Sequence, residues 1–228
     1  MLLSVLSLLQ FASADTLEFR AISLPPVLLG TPDSAGYGVP QLRLRTKQGS
    51  ALVWFLHSAD TFFVAAAIPD STHHWGDDFV LSIDTRGDGG SGPQHDDFQL
   101  YFRRAVDSSV VFRGRNGRWE PPKGDPDWRL GRDRSGGGWE VSTRDGPTGW
   151  SLLLRLDPVW FQGEEKRSAR LAIRIFDDDP PGWFAWPLPP GTPQPTMVER
   201  TPDLWAAVRR YAGTAGKRVS GEAGKRGK

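Results

Sequence analysis

The chain has 228 residues, ten of them tryptophan and none cysteine, with 28 Lys/Arg against 27 Asp/Glu. That length suits one all-β sandwich or barrel, and a formal charge of +1 offers no overall field to hold nucleic acid or an acidic polymer. The lack of cysteine removes thiol nucleophiles and disulfides from consideration. Charge is uneven along the chain: from Glu199 onward eight Lys/Arg meet three Asp/Glu, so the body before it is net acidic.

Residues 1–14 read as an export signal. Leu2 to Leu9 is a short apolar run, and Ala12-Ser13-Ala14 before Asp15 fits the small-residue cleavage rule, although no Lys or Arg precedes the run. No later run approaches the ~18 apolar residues that span a bilayer. The expected product is secreted or periplasmic, with a sandwich over 15–200 and a short helix plus disordered basic tail over 201–228.

Strands are expected at 16–24, 41–46, 50–57 and 61–68, the last two joined in a short hairpin. Residues 78–84 and 96–103 then alternate. Phe79, Leu81 and Ile83 fall on one face of the first, and Phe98, Leu100 and Phe102 on one face of the second. Their opposite faces carry Asp78, Ser82 and Asp84, then Asp97, Gln99, Tyr101 and Arg103. The loop 85–95 between them is rich in glycine and flanked by carboxylates. Further strands follow at 108–113, 117–120, 139–143, 150–156 and 169–176, the last with Arg170 and Arg174 outward. One helix is expected over 203–211, capped by Thr201-Pro202-Asp203. Regular strand–turn spacing without helices between strands predicts an all-β, antiparallel, jelly-roll-like β-sandwich.

Two constellations carry chemistry. Asp84, Asp88, Asp96 and Asp97 flank one loop, and Ca²⁺ accepts six to eight oxygen ligands in irregular geometry. The run from Asp84 fails as an EF-hand, with Arg86 at the third position and no glutamate at the twelfth; the alternative is a solvated turn paired to arginines. The second constellation is aromatic. Trp75 lies in a polar loop, where an indole face suits the C–H groups of a pyranose, yet most tryptophans serve the core. Gln99, Tyr101 and Arg103 offer polar contacts or an ordinary solvated sheet face. There is no Gly-x-Ser-x-Gly elbow and no His-Glu-x-x-His helix, while the two carboxylates a glycosidase needs are abundant and their separation is not fixed by sequence.

These motifs resemble the family 9 carbohydrate-binding modules, a β-sandwich group close to the DOMON domains. The matching residues are Asp77-Asp78, Asp84, Asp96-Asp97-Phe98, Trp139, Trp150 and Trp183-Phe184-Ala185-Trp186-Pro187, within residues 45–190. The resemblance implies a non-catalytic module for a glycan or small sugar, held between two tryptophans. Chain order gives Trp75 with Trp183 or Trp186, although Trp186 also suits a packed position. Structural Ca²⁺ is implied as well. Two alternatives remain open: an envelope interaction or structural domain without sugar affinity, and a b-type haem-binding electron-transfer relative. For the latter Met197, His57, His73, His74 and His95 are available, with nothing to pair them.

Overall fold

The structure, a computed structural model, describes residues 16–23, 26, 37–58, 61–104, 108–121, 138–161, 168–189, 191–192 and 194–209. The export signal expected at 1–14 and the expected tail beyond residue 209 lie outside these. Among the described residues no helix is long and apolar enough to cross a membrane.

Among the described residues fourteen strands build two facing sheets. The first contains β1 (Leu17–Glu18), β6 (Asp78–Asp84), β7 (Asp97–Arg103), β8 (Ser108–Arg115), β9 (Arg118–Glu120), β12 (Arg170–Asp178), β13 (Pro181–Trp186) and β14 (Ala206–Arg209). Its order is β1-β14-β12-β6-β7-β8-β9, with β13 beside β12 on the same edge as β14. The second contains β2 (Arg20–Ala21), β3 (Leu42–Arg45), β4 (Ser50–Ser58), β5 (Thr61–Pro69), β10 (Trp139–Gly146) and β11 (Gly149–Leu156). Its order is β10-β11-β5-β4-β2, with β3 beside β4.

The alternation expected from the sequence decides which face is core. Phe79, Leu81, Ile83, Leu100, Phe102, Leu171, Ile173 and Ile175 pack with Phe55, Val64, Leu152 and Leu154 of the facing sheet. Each such side chain, fully buried, contributes about 1.5–3 kcal/mol through loss of apolar surface to water. Because β6 sits at the centre of its sheet, its polar face is buried too: Asp78, Ser82 and Asp84 are all inside.

Three expectations are corrected. The stretch 16–24 is two strands, because Phe19 turns into the core and sends β1 to one sheet and β2 to the other. These are also the two parallel pairings, β1 with β14 and β2 with β4, so each sheet is mixed. The helix expected over 203–211 does not form in its described part, 203–209. Pro202–Leu204 forms a single 3-10 turn, and the chain then extends as β14 against β12. Burial decides this: Ala206 and Val208 are buried, and the Val208 N–H donates to the Ala169 carbonyl at 2.7 Å. Finally, β13 was not expected as a strand, since prolines bracket it.

Candidate functional site

The outer face of the first sheet carries the polar residues of β6, β7 and β12. The register aligns them in rows. Trp183 pairs with Phe176, Phe176 with Asp78, and Asp78 with Arg103. In the next row Ala185, Arg174, Val80 and Tyr101 lie side by side. Trp183 and Arg103 are therefore three strand spacings apart, about 14 Å. Trp75, in the loop before β6, places its ring over Arg103.

Across this face runs a chain of stacked cations and rings. The Arg103 guanidinium lies 4.1 Å from the Trp75 ring centre and 5.6 Å from that of Tyr101. Arg174 lies 5.8 Å from Tyr101 and 4.4 Å from Trp183. Phe176 packs against Trp183 with centroids 4.3 Å apart. Guanidinium over an aromatic face is attractive because the ring quadrupole is negative there. Trp75 is nevertheless 65 % exposed and Trp183 41 %.

Each arginine has an acidic partner. Arg103 Nε meets Asp78 Oδ1 at 3.1 Å, its Nη2 donates to Tyr101 Oη at 2.8 Å, and the Tyr101 hydroxyl donates to Asp78 Oδ2. Burial raises Asp78 above the usual carboxylate range, partly offset by hydrogen bonds from Tyr101 and Arg103. Burial and the Asp78 hydrogen bond push Tyr101 up to about 12. Arg174 Nε pairs with Glu199 Oε2 at 2.5 Å, and burial raises Glu199 also. Glu199 belongs to the 3-10 segment Pro195–Arg200, which lies on the sheet through Val198, packed with Ala172, Ala185 and Trp205.

Of the residues expected at a sugar site, Trp75, Tyr101, Arg103 and Trp183 come together. Gln99 lies on the same face one row further from Trp75, buried, with Nε2 lacking a partner. Trp186 is on the opposite face of β13 and packs into the core, 6.0 Å from Phe55. Strand alternation explains the difference, since 183 and 186 have opposite parity. The sequence reading omitted Asp78, Arg174 and Glu199 from the site. Outward-facing Arg174 and Asp78 were visible signals, whereas nothing local marked Glu199.

At the far end of β6 and β7 lies the acidic loop. Asp84, Asp88 and Asp96 each bring a carboxylate oxygen within 4.8 Å of the others. Asp97 faces Asp84 across the ladder. Asp84 accepts the N–H groups of Arg86, Gly87 and Gly89 at 3.0, 2.6 and 2.9 Å. Asp96 Oδ2 and Asp97 Oδ1 are buried without a partner. Burial pushes Asp97 up to about 8, with the charges of Asp84, Asp96 and Asp88 adding to the shift against the Gln94 N–H bond. Oxygen donors left unpaired in a buried cluster fit a hard cation such as Ca²⁺. A second acidic group, Asp70, Asp77 and Asp177, has the Arg104 guanidinium bonded to two of its members, at 2.6 and 3.2 Å.

A two-sheet sandwich with an aromatic-cationic outer face is the class of molecule this defines. Its fold is that of the family 9 carbohydrate-binding modules. A family 9 module from Caldicellulosiruptor kristjanssonii in complex with cellotriose superposes with a TM-score of 0.52 at 12 % identity, over 84 % of this chain and 92 % of that one. The same kind of module in complex with glucose gives 0.51 at 12 % identity, over 87 % and 99 %. No family model matches the sequence, and no curated protein matches it.

Proposed function

We propose that this is a non-catalytic carbohydrate-binding protein that takes a pyranose on the outer face of its first sheet, against Trp75 and Trp183. The observation that carries this reading is the pair of exposed indoles flanking a hydrogen-bonded floor of buried Asp78 with half-buried Tyr101 and Arg103. Arg103 occupies one face of Trp75, and the ring's large exposure leaves its other face for a sugar. Stacking removes water from that face and gains dispersion contacts with pyranose C–H groups. Arginine donors and carboxylate acceptors then serve the hydroxyls around the sugar's rim. That the structural neighbours are complexes with cellotriose and glucose makes glucose and its β-linked oligomers the first ligands to try. Titration calorimetry with those sugars, beside Trp75→Ala, tests the reading.

Asp84, Asp88, Asp96 and Asp97 would hold a structural Ca²⁺, whose charge would neutralise the buried carboxylates and fix the loop between β6 and β7. Export is part of the same reading, motivated by the apolar run and Ala12-Ser13-Ala14. Protein recovered outside the cytoplasm is expected to begin at Asp15 by N-terminal sequencing, and an intact Met1 would contradict it.

A further inference from the structure

We infer that Gln48, which lies in the second sheet's β3–β4 turn, is the positioning residue that sets the placement of the Trp75 loop and of the turn leading into the Trp183 strand. The inference rests on the sugar-binding reading for its consequence, and on geometry alone for its mechanism. The Gln48 Oε1 accepts the Ser71 N–H at 2.9 Å and the Ser71 hydroxyl at 3.0 Å. Its Nε2 donates to Asp70 Oδ1 at 3.0 Å and to the Asp179 carbonyl at 3.1 Å, with Asp177 Oδ2 at 3.4 Å. One carboxamide thus holds the start of the Trp75 loop and the turn that leads into Trp183. Neighbouring Lys47 donates to the Pro181 carbonyl, pinning the same turn again.

The partners require an amide. Oε1 faces donors only, and Nε2 faces two carboxylates and a carbonyl, so neither end can be exchanged. A glutamate would set a third charge beside Asp70 and Asp177, both buried. Asparagine is one methylene too short to span both loops. Two direct links also join the loops: the Asp178 N–H donates to Asp77 Oδ1 at 3.3 Å, and His74 Nε2 lies 3.3 Å from Asp179 Oδ2. Losing Gln48 therefore loosens the pair of loops and leaves the fold standing.

The test compares the wild type with Gln48→Leu and Gln48→Glu, using amide hydrogen exchange without sugar and titration with cellotriose. In Gln48→Leu the amides of Ser71, Thr72 and Asp179 are expected to exchange about tenfold faster, with β4 and β5 unchanged, and cellotriose affinity to fall about tenfold. Gln48→Glu is expected to match the leucine variant at pH 8 and to recover towards wild type as the new carboxyl, facing Asp70, Asp177 and Lys47, takes up a proton. Unchanged exchange in Gln48→Leu overturns the inference, as does faster exchange with wild-type affinity. If exchange responds but the wild type binds no sugar, the inference stands and the sugar-binding reading falls.

Discussion

Asp84 and Asp97 face each other across one rung of the β6–β7 ladder, both wholly out of contact with solvent. Two carboxylates so placed cannot both carry charge cheaply; either a proton or a cation must intervene. Asp97, at about 8 in the folded chain against 3.8 in a free side chain, takes the proton when no cation is present. A raised carboxyl gives stability that is whole below the unfolded value and is lost as pH rises through the folded one. Chelator-treated protein is therefore expected to lose melting temperature steadily from about pH 4 to about pH 8. Calcium at ~100 times its Kd would restore about 2.7 kcal/mol, and more of the loss at pH 8 than at pH 5, where the ion competes with the proton. Asp97→Asn should flatten the pH dependence and weaken the calcium response. Melting curves with and without chelator check this; a midpoint indifferent to calcium at pH 8 would contradict it.

At the scale of elements, the segment Pro195–Leu204 matters most. It covers part of the first sheet's outer face, fixes Arg174 through Glu199, and touches the acidic loop, where the Gly90 N–H donates to Asp203 Oδ1 at 2.8 Å. Tryptophans hold it down: Trp119 Nε1 donates to the Glu199 carbonyl at 3.1 Å and Trp205 Nε1 to the Val198 carbonyl at 2.6 Å. Glu199→Ala would leave the Arg174 guanidinium buried and unpaired, a loss of about 3–5 kcal/mol. Thermal melts should show a large fall, with a smaller one in Glu199→Gln; an unchanged midpoint would mean that Arg174 finds solvent. Nothing in the sequence announced this segment. Its prolines and the Thr-Pro-Asp cap read as a helix start, because a cap signal is local. The choice of strand at 206–209 rests on burial of Val208 beside Leu17, nearly two hundred positions away. The strands of the hairpin were legible for the opposite reason: alternation in Phe79, Leu81 and Ile83 is itself a local statement about which face is buried.

For the whole molecule, the sandwich was readable because regular strand spacing without intervening helices leaves few other architectures. Which strands share a sheet was not, since pairing such as β12 with β6 depends on contacts distant in sequence. The same holds for the site. Trp75 could be nominated from its polar loop and Trp183 from motif order, but Arg174 stacking on Trp183 follows from sheet register and Arg103 stacking on Trp75 from where the loop before β6 lies. Trp186, inside Trp-Pro, already suited a packed position, and strand parity separates it from Trp183.

Titration of the wild type with glucose and cellotriose, beside Trp75→Ala and Trp183→Ala, tests whether a sugar stacks on the exposed indoles. The wild type is expected to bind saturably. Each variant should lose about 2 kcal/mol, on the order of 30-fold in affinity, as for a buried aromatic anchor. Trp75→Ala should keep its melting temperature, since the ring is largely in solvent. Wild-type affinity in Trp75→Ala, or no saturable binding of any glycan by the wild type, would contradict that stacking.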